Sequence, residues 1–180
     1  KRRAQERELY KELSYLDPLT GIHNRRHFDE SLEAEIRKAV RHKTTLVLLM
    51  IDLDDFKLYN DNLGHQKGDE ALKTIAQLFK NTCRIYDIVT RYGGEEFAII
   101  FPGAGLENAL ELAERVRQEV MDAPFDGENV LPSGRLTVSI GAACYPRHAH
   151  NAADLLRCAD LALYQAKNCG KNTIHIYECS

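Results

Sequence analysis

Long apolar runs are missing from this chain. The longest, Leu46–Ile51, is far too short to cross a bilayer, and no signal peptide is visible, so no direct membrane contact is expected from these residues. A basic excess is missing too. With 24 Lys+Arg against 27 Asp+Glu the formal net charge is -3, which excludes a nucleic-acid binder working through a large basic surface. The five cysteines, Cys83, Cys144, Cys158, Cys169 and Cys179, lack the paired CxxC spacing of a zinc site. Their odd number and scatter suit free thiols in a reducing compartment, so the cytoplasm is the expected location. Internal repeats and low-complexity segments are absent. The chain opens on Lys1 rather than methionine. It is therefore expected to be a piece of a longer protein, with a sensor domain or a membrane anchor upstream.

What is present is apolar content, 44% of 180 residues, enough to fill the core of one domain. Residues 1–16 are highly charged, with Leu9, Leu13 and Leu16 at helical spacing. That pattern reads either as the end of a coiled-coil stalk or as an ordinary solvated helix. Asp17-Pro18-Leu19-Thr20-Gly21 breaks it, and the domain proper is expected over 17–180. A helix follows over Arg25–His42 with Phe28, Leu32, Ile36 and Val40 on one face. Leu46–Ile51 is apolar at successive positions, as in a strand covered on both sides. Helical periodicity returns over Lys67–Arg84 (Leu72, Ile75, Ala76, Phe79) and over Leu106–Val120 (Leu110, Ala113, Val116, Val120). Leu136–Cys144 reads as a strand, Ala153–Asn168 as a helix stopped by Gly170, and Thr173–Tyr177 as a last strand. This order predicts an α/β (α+β) fold with helices around a mixed sheet.

The chemistry concentrates at Tyr92-Gly93-Gly94-Glu95-Glu96-Phe97, between the strand-like runs Asp87–Arg91 and Phe97–Phe101. The glycines read as a tight hairpin turn whose bare backbone lets a ligand approach closely. Adjacent carboxylates there suit either a divalent metal with a phosphate-bearing substrate or a plain solvated surface turn. Asp52 follows the apolar run and shares strand parity with Asp54, with the Leu53 carbonyl between them. Beside the glycine turn, Asp52 would face Glu95 or Glu96, and such clustered acids call for a cation. Two-metal nucleotidyl transfer, with ions about 3.5–4 Å apart, is the chemistry this suits. The plainer reading makes Asp52 a helix cap, a role that Asp54 and Asp55 fit better.

These residues resemble the GGDEF domain, the catalytic domain of bacterial diguanylate cyclases, with the signature here reading Gly93-Gly94-Glu95-Glu96-Phe97. Asp17–Arg26, Ile51–Lys57 with Asn60-Asp61, Gly64-His65 and Gly68-Asp69-Glu70 match further motifs of that family in order. So do Thr137–Gly141, Ala159-Asp160, Leu163-Tyr164, Ala166-Lys167 and Gly170-Lys171-Asn172, so the likeness spans about residues 17–177.

The resemblance implies a central mixed, largely antiparallel sheet flanked by helices, similar to polymerase palms and class III nucleotide cyclases. It implies a nucleotidyltransferase that condenses two GTP into cyclic di-GMP and two pyrophosphates, as a homodimer. Asp52, the Leu53 carbonyl, Glu95 and Glu96 would hold Mg²⁺, with Mn²⁺ as an alternative. Glu95 would also help take the proton of the attacking 3′-hydroxyl, with the division of duties between Glu95 and Glu96 left open. Amides around Gly93 and Gly94 would lie against the triphosphate, and Lys57, Lys167 and Lys171 would add positive charge, although each lysine alone reads as surface solubility. Many relatives carry arginine where Lys171 stands, so a weaker phosphate grip is expected there. Asn60 and Asp69 would read the guanine edge, and His65 would lie near base or ribose or serve as a structural histidine. Arg84-Ile85-Tyr86-Asp87 matches the family's inhibitory product site, with Arg91 as a helper, although an isolated Arg-x-x-Asp is commonly a surface ion pair. The competing functions are a silent receptor for GTP or cyclic di-GMP and a pure dimerisation unit. Degenerate receptors usually lose a glycine or acid that this chain retains.

Overall fold

Seven of the eight residues of the central strand, Leu46–Leu53 (β2), all but Asp52, alternate between two separate apolar layers. Val47, Leu49, Ile51 and Leu53 join one layer, whereas Leu46, Leu48 and Met50 join the other. A strand with no polar face is stable only when helices cover both sides, and that requirement organises the fold. The computed structural model describes residues 14–178.

The elements run β1 (His23–Asn24), α1 (Arg25–His42), β2, α2 (Phe56–Leu63), α3 (His65–Thr82), β3 (Ile88–Arg91), β4 (Glu96–Pro102), α4 (Leu106–Asp122), β5 (Val138–Tyr145), α5 (Ala152–Asn168) and β6 (Ile174–Ile176). They form a six-stranded mixed sheet ordered β1-β3-β4-β2-β5-β6, flanked by these five helices. The three central pairings are antiparallel and the two edge pairings, β1 with β3 and β5 with β6, are parallel.

One layer packs residues of α2, α3 and α4 on the sheet, and the other packs α1 and α5. Truncating a fully buried member such as Leu49 or Phe79 is expected to cost about 2–5 kcal/mol. Helix α5 lies unusually close to β5, because Gly141 leaves no side chain between them. A Cβ there would meet Leu163 N at 2.1 Å and Ala159 O at 2.2 Å. The helix ends with Gly170 at φ +105 and the Lys171 amide bonded to the Ala166 carbonyl at 3.1 Å, the glycine-stopped ending the sequence predicts.

Two expectations need correction. Val40 is 57% exposed, and Ala39 takes the inward place beside Phe28, Leu32 and Ile36. The apolar stripe drifts round an α-helix at 3.6 residues per turn, so strict four-residue spacing overruns the buried face. The helix expected over Lys67–Arg84 starts at His65 and stops at Thr82, after which Cys83 is extended. Of the three spaced leucines near the start, Leu9 and Leu13 lie outside the described residues, and Leu16 makes an antiparallel bridge with His23. Among the described residues no helix is long and apolar enough to cross a membrane.

Candidate active site

The register of the sheet brings the predicted acids together. Asp52, near the end of β2, pairs directly with Glu96 at the start of β4 and with Ser139 of β5. Alternation puts Asp52 on the same sheet face as Met50, and Glu96 on the face of Ala98 and Ile100, so both look toward α1 and α5. Glu95 joins them through the main chain, its carbonyl accepting the Leu53 N–H at 3.2 Å.

The turn that carries these acids closes by Tyr92 N–H and Gly93 N–H both donating to the Glu96 carbonyl, at 2.8 and 3.1 Å. Neither Gly93 nor Gly94 has a positive φ, so the glycines are not there for left-handed geometry. The space beside Gly93 is taken by Glu96 instead: a Cβ there would lie 2.3 Å from Glu96 Oε2, so that carboxylate would have to swing aside. Gly94 is exposed, with nothing near where a Cβ would stand.

Both flanks of the turn are held. Arg91 donates to the Gly94 carbonyl at 2.8 Å and pairs with Asp17 at 3.2 Å. Asp17 in turn accepts from the Thr20 N–H at 2.9 Å and hydroxyl at 2.7 Å, which ties the Asp17–Gly21 motif to the glycine turn. On the other flank the Tyr92 ring meets Phe28 edge-on at 5.2 Å, with the Arg25 guanidinium 4.5 Å above it.

Burial is the main force pushing the three acids above the usual carboxylate range. For Asp52 burial outweighs the Lys167 ammonium beside it. For Glu95 and Glu96 burial is reinforced by the Asp52 carboxylate, and for Glu96 also by Asp160 of α5. Lys167, on the last turn of α5, faces this cluster. It pairs with Asp52, lies 2.8 Å from Asp54 Oδ1 and donates to the Leu53 carbonyl at 3.1 Å. Although burial favours the neutral amine, these two carboxylates more than compensate and hold it charged.

Asp54 and Asp55 do not cap α2 with their side chains, contrary to expectation. Asp55 occupies the cap position at φ 55, but its carboxylate accepts from Lys171 at 2.6 Å. Asp54, only 3% exposed, accepts from Thr137 Oγ1 (2.8 Å), Ser139 Oγ (2.7 Å), Lys167 Nζ and the Asn172 N–H (3.0 Å). The sequence signal for this network was two hydroxyl residues, Thr137 and Ser139, alternating within an apolar strand.

The other predicted binding residues sit on α2 and α3. Asn60 packs against α3 where Gly68 gives it room, since a Cβ there would lie 1.8 Å from Asn60 Oδ1. That oxygen is buried without a hydrogen-bond partner. Asp69 follows Gly68 and is exposed, as are His65 at the start of α3 and Lys57 on α2.

Arg84 and Asp87 form a turn of their own. The Asp87 carboxylate accepts the Arg84 N–H at 2.7 Å and the Asp87 N–H reaches the Arg84 carbonyl at 3.0 Å. Between them Ile85 and Tyr86 are 91% and 81% exposed. Two cavities of about 410 and 440 Å³ flank the turn, and both are lined by Arg84 and Asp87. Arg91 is not brought to this turn; its guanidinium is engaged by Asp17 and Gly94 at the opposite end of β3.

Comparison with known proteins identifies the family. Residues 14–173 match the family described as "Diguanylate cyclase, GGDEF domain". The response regulator PleD of Caulobacter vibrioides is 38% identical over 163 residues, covering 91% of this chain but 36% of PleD. The chain therefore spans little more than a third of that relative's length. The coiled coil and GGDEF domain of DgcB from Caulobacter crescentus, solved in complex with c-di-GMP, superposes with a TM-score of 0.87 at 31% identity, covering 97% of this chain and 92% of that one. The active GGEEF domain of a diguanylate cyclase from Vibrio cholerae gives 0.79 at 36% identity, covering 87% of this chain and 98% of that one. A shared fold, a motif match over nearly the whole length and the meeting of the acids at the sheet end leave one assignment: this chain belongs to the diguanylate cyclase GGDEF domain family.

Proposed function

We propose that residues 17–180 form a diguanylate cyclase domain that condenses two GTP into cyclic di-GMP and two pyrophosphates across a two-fold dimer. Residues 1–16 then end a stalk or linker from an upstream sensor, in a cytoplasmic setting. The observation that carries the reading is the pairing of Asp52 with Glu96 beneath Gly93, with the Lys167 ammonium lodged between the Asp52 carboxylate and the Leu53 carbonyl.

A positive group already held by oxygen donors is a fair test of fit for Mg²⁺ or Mn²⁺, which prefer such donors. Among the described residues no three His, Cys, Asp or Glu side chains are gathered closely enough to hold an ion by themselves. That suits Mg²⁺, which commonly takes one or two protein carboxylates and completes its shell with substrate phosphates and water. Asp52 and the Leu53 carbonyl would hold it together with Glu95, with Glu96 assisting from the edge of its shell, and when bound it neutralises charge developing on the phosphates.

The chain's own residues do the rest. The backbone at Gly93 and Gly94 takes the triphosphate, with positive charge from Lys57, Lys167 and Lys171. Asn60 Oδ1, buried and unpartnered, accepts from the guanine edge, while Asp69 accepts from N1–H and the N2 amine. Adenine lacks both donors, so these acceptors favour GTP over ATP. His65 lies beside the base or ribose. Glu95 takes the 3′-hydroxyl proton through an oxygen left free of the cation, with Glu96 supporting the cation. A two-fold product suits two protomers, each presenting one GTP to the other's 3′-hydroxyl. Arg84 and Asp87, lining both cavities at their turn, bind product and inhibit the enzyme; Arg91 acts there only indirectly, through β3.

The test is conversion of GTP with Mg²⁺ by the parent domain, Asp52→Asn and Glu95→Gln, at several protein concentrations. Turnover that rises with concentration in the parent and disappears in both variants supports the reading. Turnover retained in both variants refutes the metal assignment, and nucleotide binding without turnover in the parent replaces the enzyme by a receptor.

A further inference from the structure

Lys167 Nζ is enclosed by four oxygens: Asp52 Oδ1, Asp54 Oδ1 at 2.8 Å, the Leu53 carbonyl at 3.1 Å and the Asp52 carbonyl at 3.3 Å. An ammonium has three protons to donate, so this cage exceeds what directional hydrogen bonding requires. Two carboxylates and two carbonyls, with no nitrogen or sulfur, make up the donor set of a hard cation. Two of the four donors, the Asp52 carboxylate and the Leu53 carbonyl, are also the ones assigned above to Mg²⁺.

A dication and an ammonium cannot share these oxygens at such distances without strong mutual repulsion. We propose that Lys167 is an internal counter-cation that competes with the divalent ion for Asp52 and the Leu53 carbonyl and is displaced toward the substrate phosphate when that ion binds. The inference rests on the cation reading of the site and adds a coupling to it.

The anchoring needed for such a swing is present. Asp54 is fixed by Thr137, Ser139 and the Asn172 amide, so it stays as a pivot for the lysine. Helix α5 is pinned to β5 at Gly141, so the base of the side chain stays put. The four-carbon stem of lysine supplies the travel.

The consequence is ordered assembly. A divalent ion arriving alone must break an ion pair and leave the lysine short of a partner. An ion arriving with a triphosphate gives the displaced ammonium a new anionic partner. Cation and nucleotide therefore favour each other's binding, by reciprocal linkage.

The experiment measures Mn²⁺ binding by loss of the free-ion paramagnetic resonance signal, with and without a non-hydrolysable GTP analogue, in the parent, Lys167→Met, Lys167→Arg and Asp52→Asn. Lys167→Met is expected to bind Mn²⁺ alone about tenfold tighter than the parent and to lose most of the nucleotide's enhancement of Mn²⁺ affinity. Lys167→Arg keeps the charge and is expected to stay near the parent. Lys167→Met binding Mn²⁺ no tighter than the parent overturns the competition while leaving the cation site standing, provided Asp52→Asn abolishes binding. Asp52→Asn binding like the parent overturns both readings. Should Lys167→Met fail to fold, the ¹⁵Nζ resonance of Lys167 in the parent, assigned by its absence from Lys167→Arg, is followed as Mg²⁺ is added. It is expected to shift as the ion binds, and a resonance unmoved at saturation overturns the proposal.

Discussion

Asp52 and Asp54 stand two residues apart and meet opposite environments. Asp54 is closed off, with two hydroxyls, an ammonium and an amide donating to its oxygens. Asp52 shares the same ammonium but also faces Glu95 and Glu96; burial holds all three above the usual range, and the Asp52 carboxylate adds to the rise at the two glutamates. The difference separates an acid that builds the site from acids that work in it. Saturated lone pairs leave no room for a ligand, whereas crowded, under-compensated carboxylates favour the arrival of positive charge.

Substitution at each acid should divide the two roles. Asp52→Asn is expected to lower GTP turnover by about two to three orders of magnitude, several kcal/mol of transition-state stabilisation. Its urea midpoint should imply a stability within about 1 kcal/mol of the parent. Asp54→Ala reverses the pattern, leaving Lys167 and the Asn172 amide without their buried partner, and should cost about 3 kcal/mol in the same melts. Equal stability losses in the two variants would erase the distinction.

Gly141→Ala probes the platform beneath both acids. The added methyl meets backbone atoms of α5, which cannot turn aside as a side chain could. A loss of about 1–3 kcal/mol is expected, with a larger fall in activity than stability alone explains, because Lys167 moves with the helix. Turnover tracking the folded fraction would remove that link.

Glu95→Gln should gain stability where the site loses function. A carboxyl raised in the folded state is penalised at neutral pH, and the penalty fades as pH falls through its folded value toward the unfolded one. The amide avoids the penalty, so the variant should be slightly more stable than the parent at pH 7, solvent screening keeping the gain small. Paired thermal melts should show the gain shrinking at acid pH, and a gain that grows there contradicts the sign.

The smallest contrast lies at the Arg84 turn. Arg84 contributes its backbone to the turn and Asp87 its carboxylate. Arg84→Ala should weaken product inhibition with an unchanged melting curve. Asp87→Ala should weaken inhibition and also cost about 1 kcal/mol of local capping. Inhibition constants unaltered in both variants would take the product site away from this turn.

Much of the fold was legible because its signals are local. The helix over Arg25–His42 was bounded correctly, since Asn24 accepts the His27 N–H as a cap and the apolar spacing is regular. The apolar run at Leu46–Ile51 identified the central strand. The glycine turn was found, but the placing of the Glu96 carboxylate beside Gly93 was not, because only the closed turn brings it there. Asp55 looked like a cap until Lys171, more than a hundred residues away, claimed its carboxylate. Arg91 looked available to the Arg84 turn until Asp17 engaged it.

Residue order by itself fixed most of the longer helices and strands, which strand is buried on both faces, and which acids stand near the glycines. Those outcomes follow from periodicity, turn chemistry and side-chain polarity within a few neighbours. Tertiary structure alone decided that Asp52 opposes Glu96, that Asp54 is sealed by β5 and the segment after α5, and that Lys167 reaches both aspartates. Strand register and the seating of α5 on Gly141 join positions far apart in sequence, and the charge environment of each acid is the sum of those distant neighbours.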